Sequence, residues 1–82
     1  SKIINESIAV HMHDGSVPSA FIWRRRLYRV IEVLSCWREP ARWWDGETVR
    51  LQVRIIATSG ISTGFYELAR RDKDWFLYRL LD

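Results

Sequence analysis

The sequence predicts an all-β fold, either a small antiparallel SH3-like barrel or a strongly bent five- to six-stranded meander. Three observations carry this. Apolar residues recur with a period of two along most of the chain, the pattern of half-buried strands. The apolar runs are short and separated by turn-forming residues, the spacing typical of small barrels. Barrel closure also removes exposed strand edges, which matters for strands this apolar.

The elements follow in order. From Ile4 to Met12, residues Ile4, Glu6, Ile8, Val10 and Met12 share one face, and Asn5, Ser7, Ala9 and His11 take the other. Asp14-Gly15-Ser16 reads as a turn and Pro18 restarts the chain. Phe21 and Trp23 lie two apart and point to one side. Arg24-Arg25-Arg26 is a polar break suited to a tight turn. Leu27 to Trp37 is β-branched and aromatic, but its alternation slips: Tyr28 and Val30 are in phase, Val33 and Trp37 are not. One extra residue near Ile31-Glu32 restores the phase and predicts a bulge or sharp bend there.

Arg38 to Glu47 is irregular. Pro40 lacks a ladder donor, Asp45-Gly46 signals a turn, and Ala41 to Trp44 could form one helical turn. Thr48 to Ala57 alternates most cleanly, with Val49, Leu51, Val53 and Ile55 on one face and Arg50, Gln52 and Arg54 on the other. Ser59 to Gly64 is a hairpin tip or loose loop, Phe65 to Arg70 a strand, Arg71 to Asp74 a polar turn and Trp75 to Leu81 the final strand. Residues 1–82 make a single β domain without internal repeat.

A domain this small buries only about 60–65% of its unfolded surface, so it needs efficient core residues. Hydrophobic residues at 48%, with five Trp, supply them without cross-links. The single cysteine, Cys36, cannot form an intramolecular disulfide and is expected to be a small buried hydrophobe. No apolar run approaches the roughly 20 residues of a membrane helix, and the first residues do not resemble a signal peptide. A cytoplasmic location without membrane contact is the expectation.

No motif points to catalysis or a cofactor. His11, His13 and Asp14 fall short of a zinc ligand set, and no strained Gly-x-Ser-x-Gly turn or glycine-rich phosphate loop is present. Glu39, Asp45 and Glu47 each lie near an arginine, which lowers a carboxyl pKa, the wrong direction for a general acid. The expectation is no catalytic residue, no metal and no cofactor.

Binding is the better expectation. The net charge is only +3, but every basic residue except Lys2 and Lys73 is arginine. Arginine stacks on aromatics and grips carboxylate or phosphate with a planar fork. Arg24, Arg25 and Arg26 cluster beside Trp23, while Trp37, Arg38, Arg42, Trp43 and Trp44 occupy one stretch. Tryptophan and arginine dominate interface hot spots, so the Trp37 to Glu47 segment is the first candidate for a protein partner. A basic groove with aromatic platforms, to which Arg50 and Arg54 could add, suits nucleic acid as the alternative. Against both stands a plainer arrangement in which the indoles plug the barrel and the arginines pair locally. An enzyme ranks below all of these, and oligomeric state stays open.

Phe21-Ile22-Trp23-Arg24-Arg25-Arg26-Leu27-Tyr28-Arg29-Val30, Trp37-Arg38-Glu39-Pro40, Trp43-Trp44, Gly46-Glu47, Tyr66-Glu67-Leu68 and Trp75-Phe76-Leu77-Tyr78-Arg79 with Asp82 form a pattern. From Pro18 to Asp82 it resembles a small bacterial family of unknown function, whose genes often lie near those of Y-family, ImuB-like translesion polymerases. The resemblance implies a bacterial cytosolic accessory protein linked to DNA damage tolerance, and no activity. The chain departs from that pattern at Arg25, where a glycine is common, and over Ser59 to Gly64, which is longer and less glycine-dense.

Overall fold

Period-two alternation becomes a ring of antiparallel strands. The computed structural model describes residues 2–13, 15, 17–39 and 50–81. Their strands are β1 (Lys2–His11), β2 (Ala20–Trp23), β3 (Arg26–Glu39), β4 (Arg50–Thr58), β5 (Thr63–Arg71) and β6 (Asp74–Leu81). Each pairs with its sequence neighbours and β1 returns to β6, closing a barrel in meander order. The all-β expectation therefore holds, with six strands. Ala41 to Trp44 and Asp45-Gly46 lie outside the described residues.

The core is where alternation places it. Ile8, Phe21, Trp23, Tyr28, Leu51, Val53, Ile55, Ala57, Tyr66, Leu68, Trp75 and Leu77 form one buried cluster. At its centre Phe21 stacks on Tyr28 with ring centroids 5.1 Å apart, and Tyr66 meets both rings edge-on at 5.9 and 5.6 Å. Such pairs add about 0.5–1.5 kcal/mol beyond area burial. A side chain at Gly64 would crowd this cluster, because its Cβ would lie 3.1 Å from the Tyr66 hydroxyl oxygen.

β3 is much longer than its neighbour β2. Only Arg26 to Arg29 pair with β2, whereas pairing with β4 continues to Glu39 opposite Arg50. The predicted phase slip is present: register against β4 shifts between Val30 and Glu32, and again between Val33 and Ser35. Ile31 and Leu34 are the extra residues and have no Cα partner.

Cys36 departs from expectation, being exposed. Its phase is that of the core face, opposite buried Val53. Beyond Arg29, however, β3 has a strand neighbour on one side only among the described residues, so nothing there covers the thiol as a second strand would.

The β2–β3 turn is equally specific. Trp23 pairs with Arg26, leaving a two-residue loop with φ of 50° at Arg24 and 65° at Arg25. Positive φ at both positions belongs to the type I′ hairpin, whose twist matches the strands and which favours Asn-Gly. A side chain there costs about 1–2 kcal/mol through Cβ–carbonyl crowding. Arg25→Gly relieves this, less the greater chain entropy glycine loses on folding. The expected result is a gain of up to about 1 kcal/mol, seen as a thermal midpoint several degrees higher. An unchanged or lower midpoint would contradict the strained-turn assignment.

Candidate functional site

The arginines divide into those the fold uses and those it leaves open. Arg24 leans over the Trp23 ring at 4.5 Å and pairs with Glu6 at 2.9 Å. The Trp23 indole N–H also donates to Glu6, at 2.9 Å. Glu6 thus ties the β2–β3 turn to β1, and the Arg24 guanidinium, then the Trp23 N–H, hold its carboxyl below the ordinary value of 4.5.

A second network lies on the outer face of β4, β5 and β6. Register places Arg54, Glu67 and Arg79 in one cross-strand row. Glu67 is only 1% exposed although it points away from the core. It accepts from Arg54 Nε at 3.1 Å and from Gln52 Nε2 at 2.8 Å, and Arg79 stands at 4.0 Å. Arg54 also covers the Trp37 ring at 5.0 Å, and the Trp37 N–H donates to Glu39 at 2.7 Å. These neighbours lie over the carboxylate and the Gln52 amide as a polar layer outside the barrel wall.

Trp37 and Arg38 are therefore strand residues of β3, Trp37 half-buried and Arg38 exposed. Arg42, Trp43 and Trp44 lie outside the described residues. Arg50 sits opposite Glu39 and Arg71 in register, on the rim of the outer polar layer.

Arg25 and Arg26 are arranged differently. With Arg29, Leu27 and the Thr58-Ser59-Gly60 stretch they line an open concavity of about 360 Å³. Arg29 reaches this place because β3 pairs it with Thr58 at the start of the β4–β5 hairpin. That hairpin tip is locally fixed: Ser59 N–H donates to the Ser62 carbonyl at 2.9 Å, and Gly60 N–H to Thr58 Oγ1 at 3.2 Å. A smaller apolar hollow of about 240 Å³ adjoins it through the shared Leu27, with Ala9 and Ile22 on its wall.

The remaining open feature is the edge of β3 from Val30 to Glu39. It carries exposed Ile31, Val33 and Leu34, at 58%, 44% and 45%. Sequence reading alone did not single out Glu6, Gln52, Arg29 or this edge. Arg29 was readable in principle, since it lies on the polar phase of β3 three residues beyond the arginine triplet; the others depend on strand pairing across long separations.

Two outcomes follow for the networks. Glu67→Ala leaves the Gln52 amide and two guanidiniums without their acceptor and is expected to cost about 1–3 kcal/mol. Glu67→Gln should cost less, because its amide keeps an acceptor and can donate to Gln52 Oε1, which has no partner among the described residues. Urea denaturation of both variants measures the order. For Glu6 the folded pKa is depressed, so its contribution is full above the unfolded value and is lost as pH falls through the folded one. Wild type should thus lose more stability than Glu6→Gln on acidification below about pH 4.5, a comparison that parallel melts at stepped pH provide.

Comparison with curated proteins and with solved structures returned no match. A family model described as a domain of unknown function, DUF6504, matches residues 1–82. Its match spans the strands, both networks and the cationic concavity, and the chain belongs to this family of unknown function.

Proposed function

We propose that the protein is a non-enzymatic interaction module that takes an extended segment of a protein partner along the open edge of β3. One observation carries this reading. Over Val30 to Glu39 the strand is paired to β4 alone among the described residues, and its exposed side chains there include Ile31, Val33 and Leu34. An added strand gains main-chain hydrogen bonds from such an edge and specificity from alternate side chains. Glu32 within the apolar stretch and Arg38 beyond it, opposite in charge, would fix the direction of the incoming segment. The stretch runs directly into the segment holding Trp43 and Trp44, so that segment could extend the same contact.

The gene neighbourhood of the family it resembles supports translesion synthesis as the setting, which makes a Y-family polymerase the first partner to test. Isothermal titration of the purified protein with that polymerase is the measurement. Ile31→Lys and Leu34→Lys should each weaken binding at least about tenfold, as loss of interface anchors does. Neither should lower the melting temperature appreciably, since both side chains are exposed. Full binding by both lysine variants, with loss in Trp43→Ala or Trp44→Ala, would move the contact from the edge to the β3–β4 connection.

A further inference from the structure

We propose that the concavity at Arg25, Arg26 and Arg29 binds the backbone of single-stranded nucleic acid, with Phe65 as the platform on which a base stacks. The argument begins from cross-strand rows on the outer face. One row runs Ala20, Arg29, Thr58, Thr63; the next runs Glu32, Ile56, Phe65, Leu81. Phe65 is thus two residues along β5 from Thr63, on the same face as Arg29, and is 46% exposed. Two residues of strand advance about 6.5–7 Å, so the ring lies one row from the cationic ground.

The chemistry suits this ligand. Arg25, Arg26 and Arg29 are exposed and line one hollow with Thr58, Ser59 and Gly60, where the Thr58 and Ser59 hydroxyls are held by Ser62. Guanidiniums match phosphate oxygens. The arginine–aromatic contacts of the described residues lie elsewhere, at Arg24, Arg54, Arg71 and Arg79; of these Arg24 pairs with Glu6, and Arg54 and Arg79 with Glu67. A purely structural arginine cluster would show such local carboxylates, whereas among the described residues the two rows carry only Glu32. A duplex presents no free base face to Phe65, while a single strand presents one at every nucleotide, and stacking on an aromatic tolerates any sequence.

Fluorescence anisotropy with a labelled oligothymidylate of about 20 nucleotides tests this, over salt from about 20 to about 200 mM. Three phosphate contacts predict a slope of log K against log salt near −2. Arg26→Gln and Arg29→Gln should each reduce the slope by about 0.7. Phe65→Leu should weaken binding roughly 5- to 150-fold and leave the slope unchanged. Glu32→Gln should tighten it. Circular dichroism confirms that each variant is folded; the altered side chains are exposed, and the four substitutions report separately, so one unfolded variant leaves the others decisive. Absence of binding at the lowest salt overturns the proposal. So does binding that Arg29→Gln leaves intact, duplex affinity equal to that of the single strand with Phe65→Leu silent, or equally strong competition by polyglutamate, which would mark an unspecific or peptide-directed cationic patch.

Discussion

The structure depends on a mismatch of strand lengths. β2 offers four residues to β3, which has fourteen. Ring closure between β1 and β3 is therefore confined to the short sector where β2 lies between them. The aromatic cluster gathers in that sector: Phe21 and Trp23 come from β2 and Tyr28 from the facing part of β3, with Tyr66 reaching across from β5. Past Arg29 the constraint reverses, and β3 continues with β4 as its single described neighbour. The exposure of Cys36, the open apolar edge and the position of Arg29 at the boundary all follow from where β2 stops.

The same boundary explains how eleven arginines coexist at a net charge of only +3. On the β4–β5–β6 wall the outer residues have neighbours on both sides. There guanidiniums sit over aromatic rings while their nitrogens reach toward Glu67. This is snorkelling of the stem with charge satisfied at the tip, and it buries Gln52 and Glu67 on a face that alternation assigns to solvent. Lysine could supply the charge but not the flat, stacked, multiply donating contact. Among the described residues of the β2–β3 turn, Arg24 has such a carboxylate, because β1 brings Glu6 beside it. Arg25 follows, its backbone also in the left-handed region, and lines the hollow it shares with Arg26 and Arg29.

Much of the fold was legible. The alternation of Thr48 to Ala57 placed Leu51, Val53 and Ile55 in the core, and the slip near Ile31-Glu32 located the first bulge within one residue. These are local signals, fixed by the period of the strand. The turn position where the resemblance leads one to expect glycine is Arg25, whose φ of 65° gives a departure there a backbone meaning. What was not legible depends on partners far along the chain. Glu6 meets Trp23 and Arg24 across 17 and 18 residues, and Gln52 meets Glu67 across 15. The run from Leu27 to Trp37 reads as β-branched and aromatic with a slip in phase, and the stopping point of β2 reveals that among the described residues its second half has β4 as its one neighbour. The Trp43-Trp44 element lies outside the described residues.

An open apolar edge invites pairing with any strand, including that of a second copy, and proteins blunt such edges with charge and bulges. Both devices are present on β3. Glu32 interrupts the apolar stretch and Arg38 follows it, and two bulges fall along it, at Ile31 and Leu34. A bulge increases local twist and interrupts the regular alternation of donors and acceptors. For two copies to pair through this edge, each irregular strand would have to accommodate the other's bulges as well as its own. A regular strand from another protein meets the irregularity only once. The bulges thus penalise self-pairing more heavily than pairing with a foreign strand, so the irregularity first visible as a slip in hydrophobic phase acts as a selectivity element on the edge.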